Sequence, residues 1–285
     1  MKKIGFIDHF IDEWHANNYP AWIRESSRRS DFELAYVWAE KDRDGGLSTD
    51  AWCAKFGVKR AASLERLVAD CDAIVVLSPD NPERHEDLSR VASACRKPVY
   101  IDKTFAPDLA TAARIFGNFE RGGTPMFSSS ALRFAEEFEA LAAKGIARGT
   151  ARSVTTRGPG QMARYGIHQV ELIVSLMGPG LRRVMQTGPQ GAPHFVFEWE
   201  DGRRAQMTML DGLPFQLAAQ GEAAFQTSEV KGVFFPRFIE AMLAFFADPS
   251  KSPASKAETL QIIAAIEAGV KALARSESWV DLPRI

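Results

Sequence analysis

Short apolar runs alternate with stretches of helical periodicity in the first part of the chain, and this alternation limits the possible folds most strongly. The apolar runs lie at residues 4–7, 32–38, 73–77 and 99–101. Buried strands that alternate with helices at such intervals are typical of βαβ units in a parallel, doubly wound sheet. We therefore expect an α/β, Rossmann-like domain at the N-terminus.

The character of the sequence changes after Gly122-Gly123-Thr124-Pro125, which is the best candidate for a linker. Glu200-Asp201-Gly202 indicates a tight hairpin, and several strand-like runs follow one another around it, at residues 181–187, 194–199, 205–210 and 215–220. Strands joined by hairpins predict a C-terminal α+β domain with an open antiparallel sheet. The expected domains are residues 1–123 and 124–285, and whether the C-terminal helix packs back on the first domain is left open.

Composition and charge exclude several classes of protein. The 285 residues are 46% hydrophobic and 25% charged, with a net charge of −1, which argues against a nucleic-acid partner or a membrane surface. Cys53, Cys71 and Cys95 are odd in number and lack metal-ligand spacing, so we expect reduced thiols, a cytoplasmic protein and no metal site. Residues 1–7 predict a first strand and not a signal peptide.

An acid and a base follow directly after the apolar run at 99–101. Asp102 and Lys103 end this run, and Pro107 stands where a helix would begin. Ligands of open α/β sheets collect at the carboxyl ends of the strands, which makes Lys103 a candidate for a functional residue. The alternative is a solvated lysine paired with Asp102.

Asp102-Lys103-Thr104, followed by Ala106-Pro107-Asp108, resembles the Glu-Lys-Pro segment of the glucose–fructose oxidoreductase and inositol dehydrogenase family (Gfo/Idh/MocA). The resemblance implies a nicotinamide cofactor, NAD or NADP, and a hydroxyl-bearing small-molecule substrate. It also implies that Lys103 lies beside the nicotinamide and the reacting hydroxyl, with Asp102 next to it.

The sequence departs from this family in the turn after the first strand. Where the family has Gly-x-Gly-x-x-Gly, residues 8–13 read Asp-His-Phe-Ile-Asp-Glu. The glycines normally let the backbone approach the diphosphate, whereas Phe10 blocks this approach and the acids add negative charge. The departure argues against ordinary dinucleotide binding, and a purely structural turn is the alternative. If the cofactor is bound, the resemblance places Asp8, His9 and Phe10 beside it.

Further candidates for the first domain follow its other strands. Glu40, after the second strand, is the expected partner of an adenosine ribose, although Lys41 and Arg43 could accommodate a 2′-phosphate instead. Ser78-Pro79-Asp80 resembles the Thr-Pro-Asn turn of the family, and His85 resembles the histidine that follows it. His15 is a candidate for a substrate contact, because it follows the first turn.

The strongest signal in the second half is a polar stripe on the predicted helix 162–177. The stripe contains Arg164, His168 and Glu171, and the resemblance makes His168 the general base. The family pattern Asp-x-Gly-x-His has lost its carboxylate to Arg164, which predicts an anionic substrate such as a hydroxy acid. The alternatives are a structural histidine and an ion pair between Arg164 and Glu171. Arg133, after Ser128-Ser129-Ser130, is a further substrate candidate.

The prediction from sequence is an oxidoreductase that transfers a hydride between a nicotinamide and a hydroxyl of a sugar-like or hydroxy-acid substrate. The alternatives are a non-catalytic binding or regulatory protein and a non-redox acid–base enzyme, such as a dehydratase or an epimerase. A homodimer or homotetramer is expected, because the alternation predicts an uncovered apolar sheet face with Phe195, Phe197 and Trp199, or Met207 and Met209.

Overall fold

The computed structural model describes residues 1–284. The chain forms two compact units, each assembled from several segments. Unit 1 contains residues 1–106, 111–129 and 235–255, and unit 2 contains residues 107–110, 130–234 and 256 onward. Unit 1 thus continues six residues past the predicted boundary, because a short strand at Met126–Phe127 pairs with the strand at Val99–Ile101.

Unit 1 contains a six-stranded parallel sheet. Its strands are β1 (Lys2–Asp8), β2 (Phe32–Ala39), β3 (Lys59–Arg60), β4 (Ala73–Val76), β5 (Val99–Ile101) and β6 (Met126–Phe127). Their order is β3-β2-β1-β4-β5-β6, so the direction of winding reverses between β1 and β4. This order confirms the predicted doubly wound, Rossmann-like sheet, and the reversal point is where such sheets bind ligands. Every residue of β4 and β5 is buried, which explains their uninterrupted apolar sequence.

Nine α-helices complete the described part of the chain. They are α1 (Trp14–Glu25), α2 (Thr49–Phe56), α3 (Leu64–Asp70), α4 (His85–Ser89), α5 (Leu109–Gly122), α6 (Glu137–Ala143), α7 (Met162–Met177), α8 (Phe234–Ala247) and α9 (Lys256–Ala272). Nearly all of α8 belongs to unit 1, whereas the C-terminal helix α9 belongs to unit 2. Helix α8, although it comes from the second half of the sequence, therefore belongs to unit 1.

Unit 2 is α+β, as predicted, but its sheet is mixed. The strands are β7 (Ser153–Gly158), β8 (Leu181–Thr187), β9 (His194–Trp199), β10 (Arg204–Met209), β11 (Gln216–Gln220), β12 (Phe225–Glu229) and β13 (Trp279–Asp281), in the order β12-β11-β7-β10-β9-β8-β13. All neighbours are antiparallel except β7 and β10. The path of the chain explains this exception. After β7 the chain forms α7 and then the antiparallel strands β8, β9 and β10, and the last of these lies beside β7 and runs in the same direction.

The apolar stripe that predicted an oligomer is covered within unit 2. Phe195, Phe197, Trp199, Met207 and Met209 are each at most 1% exposed. Helix α7 packs against β7 and β10, and α9 packs against α7 and β8. The expectation that this apolar face is left for a partner is therefore wrong, and the homo-oligomer stays a prediction without that support.

Among residues 1–284, no helix is both long enough and apolar enough to span a membrane. Cys53, Cys71 and Cys95 are free thiols in the structure.

Candidate functional site

A buried carboxylate lies at the carboxyl end of β5 in unit 1. The Asp102 side chain is fully buried and accepts hydrogen bonds from the Tyr100 hydroxyl (2.9 Å), the backbone N–H of Lys103 (2.8 Å) and Nδ1 of His15. Burial alone would raise the pKa of Asp102, but His15 and Lys103 outweigh it and hold that pKa below its usual value. Asp102 is therefore an ionised group that orients three neighbours.

Lys103 connects this carboxylate to the loop after β4. The residue is only 8% exposed, and Nζ donates to the carbonyl oxygen of Pro79 at 3.2 Å. Ser78, beside Pro79, has a φ of 82°, and its buried hydroxyl has no hydrogen-bond partner in the described chain. The structure thus brings Lys103, Ser78 and Pro79 together, as the sequence predicted, whereas Asp80 is exposed.

The turn between β1 and α1 contains two buried acidic residues, Asp8 and Glu13. Glu13 caps α1, because its carboxylate accepts from the backbone N–H groups of His15 (2.7 Å) and Ala16. Burial raises the pKa of Glu13 to about 7. Asp8 is fully buried, neither carboxyl oxygen makes a hydrogen bond in the described chain, and burial together with the Glu13 charge raises its pKa well above the usual value. The helix amides that receive a phosphate in a glycine-rich turn already have a carboxylate partner here.

The remaining residues of this turn contact the end of β2. The Phe10 ring lies against His9, with 5.2 Å between ring centroids, and the guanidinium of Arg43 lies 5.2 Å from the Phe10 centroid. Glu40 accepts from His9 Nδ1 and from Arg84, each at 2.5 Å. These two partners outweigh the effect of partial burial and lower the pKa of Glu40. The predicted ribose acceptor is therefore an ionised carboxylate that already has two cationic or polar partners.

His85 is fully buried, and both ring nitrogens face backbone carbonyls, that of Phe105 at 3.0 Å and that of Leu77 at 2.7 Å. Burial lowers its pKa. The prediction of His85 as a cofactor contact is not supported by this placement, because the ring connects two backbone segments and presents no nitrogen to a ligand.

In unit 2, His168 lies on α7 and is half-buried. Its Nδ1 is 2.8 Å from the Ser130 hydroxyl, and its ring packs edge-on against Tyr165 and Phe215. The Ser130 oxygen also accepts from the backbone N–H of Leu132 at 3.2 Å. His168 therefore has a fixed ring orientation, as a functional histidine requires.

Two of the predicted substrate residues are instead buried ion-pair partners. Arg133 and Glu171 are 3% and 1% exposed, with 2.7 Å between Nη1 and Oε1. Arg133 also contacts Ser175 (2.9 Å) and Glu258 (2.7 Å). The assignment of Arg133 and Glu171 as substrate contacts is not supported by this placement, because the two side chains are buried and paired with each other. Arg164, on the same helix, is exposed, and the suggested ion pair with Glu171 is absent from the described residues.

Glu171 also supports the residue that holds His168. Its Oε2 accepts from the backbone N–H of Ser130 at 3.3 Å. Burial raises the pKa of Glu171, although the charge of Arg133 opposes that effect. The ion pair thus fixes the backbone at Ser130 and, through its hydroxyl, the ring of His168. No group of three or more metal-ligating side chains occurs among residues 1–284.

Comparison by sequence identifies no relative, since no family model and no curated protein matches. Comparison by structure finds dehydrogenases and oxidoreductases whose similarity extends over nearly the whole chain. One is UDP-N-acetylglucosamine 3-dehydrogenase GnnA from Acidithiobacillus ferrooxidans, with a TM-score of 0.80, 14% identity and coverage of 96% of this chain and 98% of that one.

Two further solved structures contain a nicotinamide cofactor. The WlbA dehydrogenase from Bordetella pertussis, in complex with NADH and UDP-GlcNAcA, gives a TM-score of 0.76 at 14% identity, with 99% of both chains covered. An oxidoreductase from Agrobacterium radiobacter, in complex with NAD+, L-tartaric acid and magnesium, gives 0.76 at 15% identity, with 98% of both chains covered. At these identities the likeness shows the fold, which is that of two-domain dehydrogenases.

Proposed function

We propose that this chain is an oxidoreductase of the Gfo/Idh/MocA type, which moves a hydride between a nicotinamide cofactor and a hydroxyl of a sugar-like or hydroxy-acid substrate. The observation that carries the proposal is the buried Asp102–Lys103 pair at the carboxyl end of β5. It lies on the edge of the sheet where doubly wound folds bind ligands. Two proteins of this fold have been solved with NAD+ or NADH bound. Another is a dehydrogenase of UDP-N-acetylglucosamine.

The residues of unit 1 fit the nicotinamide end of such a cofactor. The Ser78 hydroxyl is buried and unpaired, so a bound carboxamide would supply the hydrogen-bond partner that it lacks. Lys103, fixed to Pro79, adds a cation at the same strand ends. The nicotinamide supplies a hydride acceptor or donor when it is bound. We propose that Lys103 orients the substrate oxygen and stabilises negative charge as it develops there.

The diphosphate end is remodelled, because Glu13 occupies the amides at the start of α1. A dinucleotide bound here would keep its diphosphate farther from the turn than a glycine loop allows. We therefore propose weak binding of NAD or NADP, with Lys41 and Arg43, both exposed, as the first cations that follow β2 in the sequence. The exposed Arg164 supports an anionic substrate within the same proposal.

Replacing Glu13 by glycine is expected to strengthen NADH binding by roughly fivefold, because it frees two helix amides and removes a carboxylate, effects worth about 1 kcal/mol. Loss of the cap should also lower the free energy of unfolding, by roughly a few tenths of a kcal/mol, because glycine is itself tolerated at an N-cap. Fluorescence titration with NADH measures the change in affinity, and urea denaturation measures the change in the free energy of unfolding.

Ser63→Gly provides the control, since Ser63 caps α3 through the backbone N–H of Arg66 at 3.2 Å. It should lose similar stability with no change in NADH affinity. A folded Glu13→Gly protein that binds NADH no better than the wild type would show that capping of these amides does not limit binding.

The capped turn also favours a second candidate function, an acid–base enzyme or a binding protein for small molecules that uses no dinucleotide. A base, a carboxylate and a cation are provided by His15, Asp102 and Lys103. These groups suffice for proton transfer without a hydride acceptor. Binding of NADH or NADPH separates the two candidates, because only the oxidoreductase requires it.

A further inference from the structure

His15, in the first turn of α1, forms a carboxylate–imidazole pair with Asp102 in unit 1. Its Nδ1 is hydrogen-bonded to Oδ2 of Asp102. An ionised carboxylate only accepts hydrogen bonds, so the hydrogen must lie on Nδ1 of the imidazole. In the neutral ring, Nε2 then has a lone pair and no hydrogen, which is the form that accepts a proton.

The second ring nitrogen is available to a ligand. Nε2 of His15 makes no hydrogen bond within residues 1–284, and it does not belong to the fully buried unpaired atoms of that part of the chain. The side chain as a whole is 10% exposed. A buried imidazole with one small accessible edge is protected from bulk water on its other sides.

The ring is held in one orientation by its neighbours. It stacks on Tyr19, with 5.2 Å between centroids and 13° between planes, and Trp14 and Phe235 contact it at steep angles. Asp102 is itself fixed by Tyr100 and by the backbone of Lys103. A base oriented by a carboxylate that other groups hold is the arrangement used in acid–base catalysis.

His168 contacts a hydroxyl and not a carboxylate. The Ser130 oxygen accepts from the Leu132 N–H at 3.2 Å and lies 2.8 Å from Nδ1 of His168. A serine hydroxyl can donate to a ring nitrogen or accept from it, so this contact orients the His168 ring without setting its tautomer. The carboxylate of Asp102, which only accepts, does set the tautomer of His15.

We infer that His15 is a catalytic general base for a ligand hydroxyl, oriented by Asp102. Nε2 takes the hydroxyl proton, the O–H bond breaks, and its electron pair stays on the oxygen. The resulting imidazolium remains paired with the Asp102 carboxylate. The inference deepens the proposed function and rests on it for the identity of the substrate, whereas the tautomer of His15 does not depend on any ligand.

Two measurements on the full chain without substrate test the pair. Long-range 1H–15N spectra of histidine-labelled protein, recorded over a series of pH values and assigned with His15→Gln, should show that the neutral ring of His15 carries its hydrogen on Nδ1 and none on Nε2. Diethyl pyrocarbonate, followed by peptide mass spectrometry, should modify His15 and spare His85, whose two nitrogens are engaged. A hydrogen on Nε2 of neutral His15, or a His15 that resists the reagent, would overturn the inference.

A third measurement concerns turnover with NAD+ or NADP+ and a panel of myo-inositol, gluconate and tartrate. His15→Gln should lose about a hundredfold or more in turnover, while His194→Gln, at an exposed position on β9, should keep wild-type turnover. Full turnover by folded His15→Gln would refute the role of His15. If the wild type binds neither nucleotide, the proposed function fails, and the spectra and the modification still decide the state of His15.

Discussion

Replacing Arg133 by alanine is expected to lower the free energy of unfolding by about 3–5 kcal/mol, because it leaves the buried Glu171 carboxylate without its partner. Glu171 is 1% exposed, and Arg133 is the cation at 2.7 Å from it. Urea denaturation followed by circular dichroism measures the loss. Activity should fall as well, since the same pair supports Ser130 and thereby His168.

The exposed pair of Arg152 and Glu222 provides a matched control. Its N–O distance is 2.8 Å, but its side chains are 61% and 84% exposed. Arg152→Ala should therefore change stability by at most about 1 kcal/mol. A loss below 1 kcal/mol for Arg133→Ala would mean that Glu171 finds another partner or takes up a proton at little cost.

Replacing Lys103 by alanine should reduce turnover by about a hundredfold or more, because it removes the cation proposed to stabilise charge on the substrate oxygen. Its effect on the melting temperature should be small but measurable. Lys103 is largely buried and Nζ donates one hydrogen bond, so the variant loses some packing and this bond.

Lys97 is the control for this variant. Its Nζ donates to the carbonyl oxygens of Val68, Ala69 and Cys71 and so connects the end of α3 to the residues before β5. Lys97→Ala should lower the melting temperature more than Lys103→Ala and leave the turnover of the folded fraction unchanged. The reverse ranking would make Lys103 a structural residue.

Local signals in the sequence were sufficient to predict the fold of unit 1. Parallel strands that are buried on both faces require uninterrupted apolar runs, and β4 and β5 show such runs. The sequence did not reveal the parallel pairing of β7 with β10, because no local pattern records which strands meet after a crossover. Apolar residues at helical spacing over 132–143 also favour a single helix, whereas Ala135, with ψ of 138°, separates a 3-10 turn at Ala131–Phe134 from α6.

The candidate site was predicted in part. The end of β5 and the loop at Ser78-Pro79 meet as expected, because the carboxyl ends of adjacent parallel strands share one edge of the sheet. The contact of His15 with Asp102 joins residues 87 positions apart, which the sequence alone did not pair. Burial of Glu171 was missed, since a polar stripe on a helix usually indicates a solvent-exposed face. Burial of Arg133 was missed because the sequence did not pair it with Glu171.

Titration of the wild-type protein with NADH and NADPH, followed by nicotinamide fluorescence, tests the proposed oxidoreductase most directly. The proposal predicts saturable binding of at least one nucleotide, with a dissociation constant of roughly 0.1–1 mM, corresponding to about 4–5.5 kcal/mol. It also predicts tighter binding by Glu13→Gly. The absence of saturable binding up to millimolar concentrations of both nucleotides, for the wild type and for Glu13→Gly alike, would contradict it.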